Sequence, residues 1–301
     1  MSIKKYNLDS SLVNYIDNLG MGVEARGALG GSVYYVEGNS GKDSNGGTSI
    51  DGALQTLAAA IAMSHADIGR RARWARRNTI YCFGDTFTED LVAFPQKTDI
   101  IGLGSYNGNK GAGLIGNHAP VNAGIGTRIF NMWLKGPAVA SPLITLTAAC
   151  NGMETIGCTF DAAALTTSAI LATASPYLKV RACRFQGAFA TSYITFGTGE
   201  AGGTVIRDNI MGDSVGVGIA AGSGMTSSWR SAIKDNFIQA AGLCIDDDAD
   251  LFYVTGNTLI TAATVAFGGT AGIDANAYRS SDNHVTGGTG VHVWYPSITL
   301  S

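Results

Sequence analysis

The chain has 301 residues, 14% of them charged and 46% hydrophobic, with 41 glycines and only 6 prolines. That length is ample for one continuous core, and many small residues with few charges describe a tightly stacked β architecture better than a helical bundle. A formal net charge of -3 and a pI near 5.8 exclude a global pull toward nucleic acid or an anionic membrane, and no stretch is an uninterrupted apolar span.

Residues 1–32 read as an N-terminal arm. The opening MSIKKYNLDSSLVNYIDNLG lacks the apolar run of a secretory signal, so synthesis in a cytosol is expected. Within it, residues 9–19 have a helical pattern, with Asp9 or Ser10 as N-cap and Leu12, Ile16 and Leu19 on one face. Gly20, Gly22, Gly27, Gly30 and Gly31 then form a flexible connection. Two uses of this arm remain open: docking on a partner, or folding back over the first coil.

The segment VYYVEGNSGKDSNGG (residues 33–47) is a strand followed by a loop. A helix is predicted near 51–64, because Leu54, Leu57, Ala58 and Ile61 share a helical face that would plug the open end of a solenoid. The densest basic run follows, with Arg70, Arg71, Arg73 and Trp74 as candidate contacts for a sugar, a phosphate or an acidic partner, or simply as a solvated helix end. NTIYCFGDTFTE (78–89) and IIGLG (100–104) are two further extended segments.

From Asn131 onward the chain repeats. Aligning RIFNMW (128–133), TIGCTF (155–160), VRACRF (180–185), IRDNIM (206–211), IKDNFI (233–238), VTGNTL (254–259) and SSDNHV (280–285) puts Asn or Cys at the fourth position every time. These anchors, Asn131, Cys158, Cys183, Asn209, Asn236, Asn257 and Asn283, are separated by 27, 25, 26, 27, 21 and 26 residues. A period in the twenties without a leucine-rich signature fits one coil of a β-helix. With coils stacked about 4.8 Å apart, the anchors form a ladder whose amides bond to one another and to turn carbonyls. The five cysteines, Cys82, Cys150, Cys158, Cys183 and Cys244, include no CxxC pair and are expected to be buried and reduced rather than to form a disulfide framework or a zinc site.

The order of strand and loop, capping helix, NTIYCFGDTFTE coil and IIGLG coil resembles the opening of the pectate-lyase-like single-stranded right-handed β-helix superfamily, over about residues 33–290. Phe83 stands where that family usually has proline. The resemblance implies an all-β right-handed parallel β-helix with an N-terminal capping helix. Uncleaved members with a short polar arm are similar to phage virion proteins such as tailspikes, head fibres and capsid-decorating subunits. The expected function is therefore that of a virion structural protein, a homotrimer docked on a capsid or tail protein through residues 1–31, with residues 291–301 as a C-terminal cap or oligomerisation strand. No nucleic-acid, membrane or cofactor partner is expected.

The alternative is a carbohydrate-active depolymerase or a non-catalytic glycan-binding module. Asp246, Asp248 and Asp250 alternate so as to share a strand face, where three carboxylates would serve glycoside hydrolysis, or Asp246 and Asp248 would hold calcium. The competing and preferred reading is a solvated turn in the shortest coil, and the Gly-His-Gly and Arg-Ile-Lys segments of a polygalacturonase are absent. No catalytic residue is therefore assigned. Trp229, Tyr193 and Trp294 are candidate stacking platforms for a surface glycan. Asp208, Asp235 and Asp282 are read as an outer row of turn caps, and Arg181, Arg207 and Lys234 as a basic row paired with it.

Overall fold

The computed structural model describes residues 31–71, 76–83, 86–104, 112–121, 124–136, 139–212, 216–222, 225–227, 230–247, 252–262, 267–268 and 280–286. The arm at 1–30 and the segment 291–301 lie outside the described residues.

Nearly every strand is three to six residues long, and each pairs in parallel with the strand one coil away. Three long sheets and one two-stranded sheet, Gly199–Glu200 with Met225–Ser227, result among the described residues. The first has ten strands, from Val33–Val36 through Asn78–Phe83, Thr98–Leu103 and Arg128–Phe130 to Ser280–Ser281. The second has nine, from Thr86–Thr88 to His284–Thr286, and the third has six, from Ile144–Leu146 to Phe267–Gly268. Each complete coil visits the first, second and third sheet in that order, so the chain is a parallel β-helix, as its repeat predicts.

Alternation along these short strands sends one column of side chains inward from each sheet. In the first sheet the column is Ile100, Ile129, Thr155, Val180, Ile206, Ile233 and Val254. In the second it includes Leu114, Leu134, Phe160, Phe185, Met211, Ile238 and Leu259. All of these are buried. The Phe160 and Phe185 rings stack 4.7 Å apart at 13°, which adds about 1 kcal/mol to the burial itself.

The corner between the first and second sheets explains the repeat. Register equates Phe130, Ile156, Arg181, Arg207, Lys234 and Thr255. The next residue in each coil, Asn131, Gly157, Ala182, Asp208, Asp235 or Gly256, has φ between 50° and 67°, the left-handed region that Gly, Asn and Asp tolerate best. The residue after that points inward, and these are Met132, Cys158, Cys183, Asn209, Asn236 and Asn257, all buried.

Asn131 is therefore a correction to the predicted ladder. It stands at the exposed corner, where its amide donates to the carbonyls of Gly102 and Gly104 at 2.9 and 3.0 Å. Met132 fills the rung instead. The two cysteines are free thiols, and burial drives that of Cys158 well up.

The helix α1 spans Leu57–Arg71, starting and ending later than the predicted 51–64. It begins at Thr56, whose hydroxyl accepts from the Ala59 N–H at 3.1 Å. Asp43 accepts from the N–H groups of Gln55 and Thr56 and from the Thr56 hydroxyl, each at 2.9 Å. The Glu89 carboxylate accepts from the Leu57 and Ala58 N–H groups at 2.8 and 2.9 Å, so the free donors of the first turn meet anions. Leu57, Ala60, Ile61 and Ile68 are buried on one face, and α1 packs on the first two strands of the first sheet. Leu54 is buried, but in a bridge to Val36 ahead of the helix, and Ala58 is exposed.

Candidate functional site

Of the acidic cluster, only Asp246 is among the described residues, together with the neighbouring Asp247. In the strand Ile245–Asp247, Asp246 lies in register with the outward Ala220, whereas Asp247 lies beside the buried Ala221. The Asp247 carboxylate accepts from the Phe252 N–H at 2.9 Å, a turn-capping role. Asp248 and Asp250 lie outside the described residues. Among the described residues, no group of three or more His, Cys, Asp or Glu is placed to hold a metal ion.

The aromatic candidates divide in the same way. Tyr193 is fully buried, edge-on to Phe185 and Phe189, with its hydroxyl donating to the Gln239 carbonyl at 2.9 Å. It is a core residue and not a stacking platform, held inward by Phe185, Phe189 and the Gln239 carbonyl. Trp74, Trp229 and Trp294 lie outside the described residues, as does Arg73. Arg70 and Arg71 form the last two positions of α1. At the end of that basic run, Arg77 donates to Asp99 at 2.9 Å and to the Gly126 carbonyl at 2.8 Å.

A cleft of about 440 Å³ lies between α1 and residues 90–93, walled by Ile61, Ala62, Leu91 and Val92 with His65 and Asp90 at its edge. Its lining is nearly all hydrocarbon and offers chemistry little to work with.

The outer face of the first sheet is different. Two outward columns flank the buried one, and register fixes both. The first runs Asp99, Arg128, Glu154, Lys179, Val205, Ala232 and Tyr253; the second runs Ile101, Phe130, Ile156, Arg181, Arg207, Lys234 and Thr255.

The early coils are internally neutralised. Arg128 holds Asp99 through two bonds, Nε to Oδ1 at 2.7 Å and Nη2 to Oδ2 at 2.6 Å, and that contact raises the Arg128 pKa. Glu154 pairs with Arg181 across one coil. Beyond this point the matching acids stop. Arg207 meets Asp208 only at 3.6 Å, with the two side chains 38% and 51% exposed, and Lys179 and Lys234 make no ion pair among the described residues. The basic row is thus not consumed by the Asp208, Asp235 and Asp282 row: Asp208 and Asp235 occupy left-handed corners, and the firm cross-coil pair is made by Glu154.

These later coils enclose an open slot of about 480 Å³. Val205 and Ala232 are its short floor, Lys179 and Tyr253 stand at its ends, and Arg181, Arg207 and Lys234 line one side. Tyr253 is 46% exposed. Chemically this is a shallow, water-facing trough lined by cations, able to accept anionic groups, with a phenol ring at one end. Lys179 and Tyr253 escaped the sequence reading. For Lys179 the signal was present in the spacing, since it sits two residues before Arg181 on the same strand face; Tyr253 sits two residues before Thr255, which carries no charge to mark it.

No protein-family model matches the chain, and no curated protein matches it. Among solved structures it is similar to a crystal structure of a GH136 lacto-N-biosidase from Eubacterium ramulus, with a TM-score of 0.35 and 9% identity over 93% of this chain and 72% of that one. A likeness of that degree carries no argument about activity.

Proposed function

We propose that this protein is a non-enzymatic binding β-helix that holds an acidic surface polysaccharide in the slot on its first sheet. The observation that supports it is the change along one face from close ion pairs, Arg128 with Asp99 and Arg181 with Glu154, to a loose one, Arg207 at 3.6 Å from Asp208, and to Lys179 and Lys234, which make no ion pair among the described residues. Binding is favoured over cleavage because no carboxylate lines the slot among the described residues, and Glu154 and Asp208 beside it already face arginines. An acid and base pair able to act on a glycosidic bond needs two carboxyl groups flanking that bond.

The setting we propose is a trimeric structural subunit of a phage-like particle, attached through residues 1–31, which the sequence resemblance implies. The outward row Thr145, Leu171, Thr195 and Ala220 of the third sheet, which continues to the charged Asp246, supports side-by-side packing of copies through its four neutral positions.

The test is calorimetric titration of acidic and neutral polysaccharides, with reducing ends measured in parallel. The expected result is saturable binding of acidic polymers, no reducing-end release, and loss of binding in an Arg207→Ala, Lys234→Ala double variant. Turnover, or equal binding of neutral polymers, overturns it.

A further inference from the structure

We propose that, in the free chain, residues 9–19 of the N-terminal arm dock with their apolar face in the cleft between α1 and residues 90–93. This seat is separate from the slot on the first sheet, and it holds the same arm to which the attachment above is assigned.

The cleft is an uncovered hydrocarbon surface among the described residues. On one side Ala58, Ala62 and Ala66, all exposed, recur every four residues along α1 above the buried Ile61. On the other lie Leu91, Val92 and Ala93. Val92 is 66% exposed, and Val121, whose N–H donates to the Val92 carbonyl at 3.1 Å, extends that side with 81% exposure. A wall of alanines is low, so a second helix can approach α1 closely and lay bulky side chains over it. From Ala58 to Ala66 the wall is about 12 Å long at the helical rise.

The course of the chain commits the occupant. Ser32 is fixed at the end of the cleft: its Oγ donates to Asp67 Oδ2 at 2.8 Å and its N–H to Asn78 Oδ1 at 2.7 Å, and Asp67 directly follows Ala66 in α1. Gly31 is pressed against the Arg77 carbonyl with no room for a Cβ. The connection 20–31, with glycine at 20, 22, 27, 30 and 31, has a typical end-to-end distance of about 20 Å when flexible, so it reaches the whole cleft. Tethering at that distance gives the arm an effective concentration in the millimolar range, which favours the chain's own arm over that of a second copy in dilute solution. The pattern matches as well. Leu12, Tyr15, Ile16 and Leu19 have the i, i+3, i+4, i+7 spacing of one helical stripe, and residues 9–19 as a helix are about 16 Å long, enough to cover the alanine wall.

The experiment uses a short bismaleimide on the full chain, in which the five native cysteines are buried. The variant Ile16→Cys, Ala62→Cys is compared with Asn14→Cys, Ala62→Cys, since Asn14 lies opposite the stripe. The first pair is expected to cross-link within one chain several-fold faster than the second, at a rate independent of protein concentration. Ile16→Asp alone is expected to raise binding of an apolar fluorescent dye and to lower the thermal midpoint by about 2 °C. Equal rates for the two pairs show a tethered arm without a seat and overturn the docking. A cross-link that joins two chains and grows with concentration gives the cleft to a second copy and also overturns it, as does dye binding unchanged by Ile16→Asp.

Discussion

Asn209 gives Asn236 two hydrogen bonds at once: its side-chain amide donates to Asn236 Oδ1 at 2.9 Å, and its backbone N–H donates to the same oxygen at 3.1 Å. Asn236 repeats the pattern on Asn257 at 2.9 and 3.0 Å, and Asn257 on Asn283 at the same two distances. Each amide nitrogen also donates to a first-sheet carbonyl one coil back: Val180 for Asn209, Ile206 for Asn236 and Ile233 for Asn257. The ladder saturates buried corner donors that water does not reach.

Asn236→Ala strands two donors of Asn209 and frees the Ile206 carbonyl, so it is expected to cost roughly 3 kcal/mol, each unsatisfied buried group carrying a penalty of its own. Asn131→Ala, at the exposed corner, loses only bonds in contact with solvent and should cost about 1 kcal/mol or slightly more. Urea midpoints of the two variants check the contrast. Equal losses would refute the assignment of Asn131 to the corner.

Ala182 adopts φ 52° in a column otherwise filled by Gly, Asn and Asp. A left-handed conformation costs an alanine about 1–2 kcal/mol, part of which glycine recovers and part of which it forfeits through its freer unfolded chain. Ala182→Gly is therefore expected to stabilise by about 0.5 kcal/mol, read as a small rise in thermal midpoint. A fall would show that the corner is not strained.

His118 is fully buried. Its Nδ1 accepts from the Leu91 N–H at 3.3 Å, which places the ring proton on Nε2, and that nitrogen has no hydrogen-bond partner among the described residues. Burial lowers its pKa to about 4, against a weaker opposite pull from Asp90. The unfolded chain then binds a proton that the folded one refuses, so stability is lost as pH falls from 6.5 toward 4. The loss approaches about 3 kcal/mol. His118→Gln should remove this component, so the stability gap between wild type and variant must change across that window. A gap that stays constant with pH sinks the idea.

Glu154 has a side chain only 8% exposed and pairs with Arg181. Glu154→Gln should lower stability by roughly 1–3 kcal/mol, because a partly buried guanidinium loses its counter-charge. It should also tighten binding of an acidic polymer about threefold to tenfold, since Arg181 is released into the slot. Denaturation and calorimetry on the same variant read the two opposite effects, and weaker binding would argue against the slot.

The amino-acid sequence by itself determined the architecture. A recurring Asn or Cys at a period in the twenties requires coils of similar length, and the residues around each anchor alternate strictly enough to separate an inner column from two outer ones. It also placed Arg181, Arg207 and Lys234 in one row. Tertiary pairing decided the rest. Asn suits the left-handed corner nearly as well as the ladder rung beside it, so residue type alone did not separate Asn131 from Met132, and only strand register did. The start of α1 depends on Asp43 and Glu89, which lie far from it in the chain and reach it through the coil stack. The slot exists because Glu154, which stands beside Lys179 in register, is drawn into a pair with Arg181, while Lys179 and Lys234 make no ion pair among the described residues. Which charges cancel is a matter of which coils touch, and that is a property of the stack rather than of any one segment.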